Sequence, residues 1–181
     1  MKFNLAFIML LLPVCLFAQP ATSPYAGEEQ REIKALAPQE IAGYRAGAGM
    51  GFAKAAELNH YPGPKHVMEL AEKLALTPEQ NAAVKESYDR MRQSAVQLGE
   101  QIIDQEKALN DAFAAGNVLP ERVKELVTSI AELKGKLRFV HLQAHLEMRE
   151  LLSPKQIQQY DQLRGYGSHI DGGHSGHKHQ H

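Results

Sequence analysis

Five of the nine histidines in this chain lie close together at its C-terminal end. Glycine, serine and other small or polar residues separate them, and they are His169, His174, His177, His179 and His181. Neutral imidazole binds zinc, copper and nickel, and small residues between the rings let several of them converge on one ion. The pattern therefore predicts a tail that captures a transition-metal ion, the alternative being a solvated, disordered terminus that binds none.

A second pair of histidines has the spacing of one helical turn. In His141-Leu142-Gln143-Ala144-His145 a helix places both imidazoles on one face, where they can chelate one zinc, copper or nickel ion. Further ligands could come from Glu147 or Met148 or, if the N-terminal helices fold over this region, from His60 or His66. The alternative is that His141 is a half-buried, hydrogen-bonded side chain beside a helix packing seam.

The sequence does not indicate a catalytic site. Leu142 occupies the position where a His-Glu-x-x-His metalloprotease needs its glutamate, so we do not expect hydrolysis. No set of nucleophile, base and orienting group can be recognised. The chain has 20 basic and 21 acidic side chains, which gives no basic surface for nucleic acid. We expect a binding protein, not an enzyme, that requires no cofactor and can take up a zinc, copper or nickel ion.

The N-terminus has the features of an export signal. Lys2 precedes an apolar stretch over 5–17 that is too short to span a bilayer, and Ala18 offers a cleavage site. We therefore expect a signal peptide over residues 1–18, cleaved near Ala18, and a flexible leader over 19–27. The only cysteine, Cys15, would leave with the signal. The mature chain should then be periplasmic, with no disulfide and no membrane span.

Helices must position the histidine pair, and the first of them are short. Helical composition predicts segments over 28–42 and 50–59, with glycines loosening the chain between them. The turn Tyr61-Pro62-Gly63-Pro64 follows, and its second proline can open a helix over 65–75.

Two long helices follow. The first begins at Thr77-Pro78-Glu79-Gln80, a capping box with proline at the first helical position, and should run to about Ala115. Pro120 opens the second. Nonpolar residues recur in both at spacings of three and four, and the connection over 116–119 is short, so an antiparallel hairpin is predicted. The fold class is therefore all-α.

The capping chemistry occurs twice in the chain. Ser153-Pro154-Lys155-Gln156 repeats the earlier pattern and should begin a short C-terminal helix that ends near Arg164. Good N-caps account for the local chemistry of the four capping residues, which are Thr77, Gln80, Ser153 and Gln156. The helical domain is thus expected over 28–166, followed by the tail over 167–181.

The second long helix carries nonpolar residues on a second face. Phe139, Leu142 and Leu146 lie opposite the hairpin seam, which cannot bury them. Three partners remain open for this face: the N-terminal helices, a second subunit in a homodimer, or client proteins bound in an exposed groove.

The two caps Leu76-Thr77-Pro78-Glu79-Gln80 and Leu152-Ser153-Pro154-Lys155-Gln156, which frame a long hairpin behind an export signal, resemble the Spy/CpxP family of periplasmic proteins and its heavy-metal-sensing relatives. The resemblance covers about residues 60–166. It implies a helical, often dimeric, cradle-like fold without ATP or catalysis. The resemblance also implies a role either as a chaperone of unfolded envelope proteins or as a regulator of the response to envelope and metal stress.

Two mechanisms fit these features. A chaperone would hold unfolded envelope proteins against Phe139, Leu142 and Leu146. A metal buffer or sensor, acting alone or with a sensor or regulator protein, would use the tail histidines first and the pair His141 and His145 second.

Overall fold

The computed structural model describes residues 22–166, and this part of the chain is helical without strands. After a single 3-10 turn at Glu28–Gln30 there are six helices, which we number in chain order: α1 (Pro38–Ala46), α2 (Lys54–Glu57), α3 (Pro64–Glu69), α4 (Pro78–Ala114), α5 (Pro120–Leu151) and α6 (Pro154–Arg164). The predicted all-α class is confirmed. The expected signal peptide over 1–18 and the tail histidines lie outside the described residues.

Helices α4 and α5 form the predicted hairpin and dominate the fold. α4 has 37 residues and is therefore about 55 Å long, and α5 has 32 residues. Gly116, in the left-handed conformation, ends the first helix, and Pro120 begins the second. Among the residues described, no helix is both long enough and apolar enough to cross a membrane.

Two apolar clusters hold the short helices against the hairpin. The first lies toward the α4–α5 turn and joins α1 and the segment before it to both long helices, through Ile33, Leu36, Tyr44, Ala95, Ile102, Ile103, Leu133 and Leu137. The second lies at the other end, around α3 and α6, and contains Val67, Leu74, Val84, Met148, Leu152, Ile157 and Tyr160. Along α5, His141 and His145 fall between the two clusters.

A close helix contact fixes α1 and the glycine-rich segment after it. Gly99 of α4 lies so near Tyr44 that a Cβ at this glycine would sit 2.5 Å from the Tyr44 carbonyl oxygen. Gly47, in the left-handed conformation, ends α1 and lies against the backbone of Arg92. The absence of side chains at these two positions therefore lets α1 and Gly47 lie directly against α4.

The predicted boundaries of the short helices are partly wrong. A helix over 28–42 does not form, because Pro38 holds the preceding Ala37 in the extended region, and α1 begins only there. Over 50–59 only Lys54–Glu57 is α-helical. The third segment begins one residue earlier than predicted and ends at Glu69 instead of 75.

Both predicted capping boxes form. The Thr77 hydroxyl accepts the amide of Gln80 at 3.2 Å, and the Gln80 side chain accepts the amide of Thr77 at 3.1 Å. Ser153 and Gln156 repeat this arrangement at 3.3 and 2.9 Å. The starts of α4 and α6 are thus fixed by their own side chains.

The two glutamines also bond to each other, which the local cap chemistry did not predict. Gln80 Nε2 donates to Gln156 Oε1 at 3.1 Å, and Gln156 Nε2 donates to Gln80 Oε1 at 2.9 Å. The same amides donate to the carbonyls of Leu151 and Leu74. This glutamine pair therefore ties together the beginnings of α4 and α6, the end of α5 and the segment after α3.

Candidate functional site

The pair His141 and His145 lies on the inward face of α5. The two side chains are buried, with 3% and 9% of their surface exposed. α2 and α3 pack across this part of α5, and a cavity of about 670 Å³ opens beside both imidazoles. Its other walls come from the glycine-rich segment over 46–51, from Tyr88 and Met91 of α4, and from the end of α6. The structure thus places the sequence-predicted pair together at the wall of one cavity.

A backbone carbonyl fixes the protonation pattern of His145. Its Nδ1 lies 2.7 Å from the carbonyl oxygen of Tyr61. Because a carbonyl only accepts, Nδ1 carries the hydrogen, and in the neutral ring Nε2 holds the lone pair. Histidines that ligate metals are commonly held in this way, through the ring nitrogen that does not touch the metal. The ring of His145 is therefore oriented to offer Nε2.

Gly63 lies directly beside the Nε2 edge of His145. A Cβ at Gly63 would lie 3.1 Å from Nε2 and 3.0 Å from Cε1 of the ring. The backbone of Gly63 is extended, with φ −89° and ψ 138°, so its conformation does not require glycine. The missing side chain therefore keeps space beside the nitrogen that carries the lone pair.

The ring of His141 is buried against the neighbouring helices. Its Nε2 is enclosed and finds no partner among the described residues, and the ring stacks on Phe52 with centroids 5.8 Å apart. Burial lowers the pKa of His141 below its ordinary value of 6.5, and the nearby His145 lowers it further. The ring is thus neutral at pH 7, which is the form that binds a metal ion.

Glu57 of α2 anchors a polar network beside the histidines. It accepts a hydrogen bond from the Tyr160 hydroxyl at 2.7 Å, and its carboxylate lies 3.5 Å from Arg164 Nε and 3.6 Å from His145 Nδ1. Burial raises the pKa of Tyr160, and the bond to Glu57 raises it further. The network fixes α6 and the turn before α3 around His145. Sequence reasoning missed Glu57, which lies in a four-residue helix with no recognisable motif.

The suggested further ligands do not converge on the pair. His66 lines the same cavity, but its Nδ1 lies 2.8 Å from Glu69. His60 lies 2.8 Å from Asp161 and is not in the cavity wall. Met148 is buried in the second apolar cluster, and Glu147 bonds Ser87 and Arg90. Within residues 22–166, no group of three or more His, Cys, Asp or Glu side chains is arranged to hold a metal ion.

The second face of α5 is largely uncovered. Phe139 is 60% exposed and Leu146 is 49% exposed, whereas Leu142 is half-buried. Of the three partners left open by the sequence, the N-terminal helices do not cover Phe139 or Leu146.

The described fold is that of an all-helical protein built on one long hairpin. Residues 3–159 match the heavy-metal resistance family, and the chain belongs to that family. The family is related to the Spy/CpxP-like periplasmic helical proteins, which confirms the resemblance predicted from the two caps. It is a family of non-enzymatic helical proteins. No curated protein and no solved structure matches the chain.

Proposed function

We propose that this protein is an exported, non-enzymatic binder of transition-metal ions that acts in heavy-metal resistance from the periplasm. The ion would be zinc, copper or nickel, held by His141 and His145. The observation that carries the proposal is the state of His145, whose Nδ1–H is bound to the Tyr61 carbonyl so that Nε2 is left for a ligand beside Gly63.

The neighbourhood of the pair supports metal uptake in two further ways. His141 is neutral, so an entering cation displaces no proton from its ring. Met50 and Met91 line the same cavity, and their soft thioether sulfurs would favour copper over magnesium or calcium. The cavity therefore offers nitrogen and sulfur ligands and suits a borderline or soft cation.

Calorimetric titration of the mature chain with zinc, copper and nickel tests the proposal. The H141N/H145N variant should lose the binding event of the core, and the tail variant with all five C-terminal histidines changed to asparagine should retain one. H60N/H66N is the matched control, because it also removes two histidines from the described fold. Binding no tighter than about millimolar, which corresponds to only about 4 kcal/mol, would rule out metal capture.

The periplasmic location has a separate test. Expression with the native N-terminus should give a mature chain that begins near residue 19 and fractionates with periplasmic markers. An uncut chain in the cytosolic fraction would contradict export.

A second candidate function is ATP-independent chaperoning of unfolded envelope proteins. The exposed side chains of Phe139 and Leu146 favour it, since large nonpolar side chains seven residues apart on one helix face form a hydrophobic stripe. The purified protein should then suppress aggregation of an unfolded client, and F139S/L146S should lose that effect. Val127, equally exposed at 49% on the same helix, provides the control V127S. If the wild-type protein at stoichiometric excess does not suppress aggregation of the client, the chaperone function is ruled out.

A further inference from the structure

The cavity beside the histidine pair is much larger than a metal ion requires. Its volume of about 670 Å³ lies within the range of about 300–1,000 Å³ that is typical of pockets for small organic molecules. One wall is the segment over 46–51, which consists of alanine and glycine except for Met50. At Gly49 and Gly51 an added Cβ would meet nothing within 4 Å. A single ion at the histidine pair would therefore occupy only a small part of the cavity.

The side chains around the cavity carry an excess of positive charge. Four cationic side chains line it, and they are Lys54, Lys65, Arg92 and Arg164. Glu57 is the single carboxylate among the described residues of its wall. An uneven charge of this kind raises the local concentration of anions. The cavity therefore favours a negatively charged ligand.

Carboxylates already accompany two of the four cations. Arg164 Nε lies 3.5 Å from Glu57, and Lys65 lies 3.9 Å from Glu69. Lys54 of α2 and Arg92 of α4 form no ion pair within residues 22–166. A guanidinium can bind a carboxylate through two parallel hydrogen bonds, and an ammonium binds it as a point charge. These two side chains are therefore the ones available to an anion in the cavity.

A bare divalent cation is opposed by the same charges. Zn²⁺ would add two positive charges, and the neutral ring of His141 cancels none of them. Zinc in proteins usually takes four ligands, of which the pair supplies two. Within residues 22–166, no third His, Cys, Asp or Glu side chain joins the pair. A ligand with several carboxylate groups would both complete the coordination of the ion and balance the charge.

We propose that the cavity binds the metal ion together with a small organic di- or tricarboxylate, as one chelate complex. The inference rests on the proposed function, because it adds a second ligand molecule to the ion held by His141 and His145. The imidazoles bind the metal, and carboxylate oxygens fill its remaining positions. Lys54 and Arg92 bind the negative charge of the chelator. The protein thus takes up the metal as a complex and not as a bare ion.

Equilibrium dialysis of the full mature chain with Zn²⁺ and radiolabelled citrate tests the proposal. Citrate competes for Zn²⁺ in solution, so a site that accepts only the bare ion loses zinc as citrate is added and retains no citrate. The proposal predicts one citrate retained for each Zn²⁺ of the core site, which is counted as the zinc that H141N/H145N fails to bind. Without Zn²⁺, or in H141N/H145N, citrate should not be retained.

The double variant K54Q/R92Q separates the complex from the bare ion, because it removes two charges and no metal ligand. It should weaken binding of the zinc–citrate complex about tenfold or more, since charge-assisted hydrogen bonds are lost. Binding of Zn²⁺ alone should instead become about two- to threefold tighter, since a modest repulsion is removed. K136Q/R138Q is the matched control, because both of its residues are exposed on α5 and neither lines the cavity. Helical circular dichroism of each variant establishes that it is folded.

The outcomes separate the two proposals. If zinc binds to His141 and His145 but no citrate is retained, the proposed function stands and the chelate complex is overturned. If H141N/H145N binds zinc as tightly as the wild type, the proposed function fails. Citrate retained equally without Zn²⁺ would show an anion site that is independent of the metal, which also overturns the complex. Equal citrate retention by K54Q/R92Q and K136Q/R138Q would overturn the role of the two cations.

Discussion

Two pairs of polar side chains lie between the helices of this fold, and they differ in whether all of their hydrogen-bonding groups have partners. Gln80 and Gln156 bond each other, their own caps and two backbone carbonyls. His141 and His145 lie between the apolar clusters, and His141 Nε2 has no partner in the described fold. Satisfied polar groups stabilise a fold, whereas a buried polar group without a partner costs free energy. The glutamine pair thus stabilises the contact between helices, and the histidine pair is the candidate for ligand binding.

The largest effect should come from breaking the glutamine pair. Gln156→Ala removes the amide that bonds Ser153, Gln80 and Leu74, and should lower the free energy of unfolding by about 2–3 kcal/mol. Urea unfolding measures the change. Gln156→Glu keeps the cap acceptor but loses the donor, so it isolates the contact between helices. Gln158→Ala, at an exposed position of the same helix, is the control. An equal decrease in the free energy of unfolding there would show that the contact between Gln80 and Gln156 does not stabilise the fold.

Replacing His141 should change the free energy of unfolding in the opposite direction. His141→Leu removes the unpartnered buried nitrogen and should raise the free energy of unfolding of the metal-free protein by about 1–2 kcal/mol, while zinc binding at the core is lost. Denaturant titration without and with Zn²⁺ gives both values. His145→Leu is the matched comparison and should destabilise, because the Tyr61 carbonyl loses its donor. A large destabilisation by His141→Leu would mean that the ring has a structural role.

Filling the space beside His145 should impair binding with little effect on the fold. Gly63→Ala puts a Cβ 3.1 Å from Nε2 and should weaken Zn²⁺ binding about tenfold, which is about 1.4 kcal/mol. Gly135→Ala is the control on α5, since a Cβ there meets nothing within 4 Å. Equal affinities of the two variants would show that the ion does not bind at this edge.

The smallest effect is a pH dependence of stability. The pKa of His141 is lowered in the fold from 6.5, so the unfolded chain binds the proton more readily. The contribution of His141 to the free energy of unfolding is therefore fully present above about pH 6.5. It is lost as the pH falls through the lowered pKa. Unfolding free energies at pH 7.5 and 5.5 should differ more in the wild type than in His141→Leu, where other titrating groups remain. Identical differences would contradict a neutral, buried His141.

The sequence was most informative where the signal is local. Threonine or serine followed by proline and then glutamine predicted the starts of α4 and α6, and the spacing of nonpolar residues predicted the hairpin. The first short helix was predicted wrongly because Pro38 was placed inside it, although proline restricts the residue before it.

The parts that could not be predicted depend on residues far apart in the chain. Gln80 meets Gln156 across 76 residues, and Tyr160 meets Glu57 across 103. The histidine pair was predicted from its spacing, but the Tyr61 carbonyl that orients His145 is 84 residues away. Only the fold brings these groups together. Local sequence patterns therefore indicate which residues could bind a ligand, but not which distant residues orient them.

The central claim is that His145 offers Nε2 to a metal ion while the Tyr61 carbonyl holds Nδ1–H. Nitrogen NMR of ¹⁵N-histidine-labelled protein tests it directly during titration with Zn²⁺. The account predicts that at one equivalent the Nε2 signal of His145 moves to that of a metal-bound nitrogen, and that Nδ1 stays protonated. Unchanged ring signals of both His141 and His145, with shifts confined to the tail imidazoles, would contradict it.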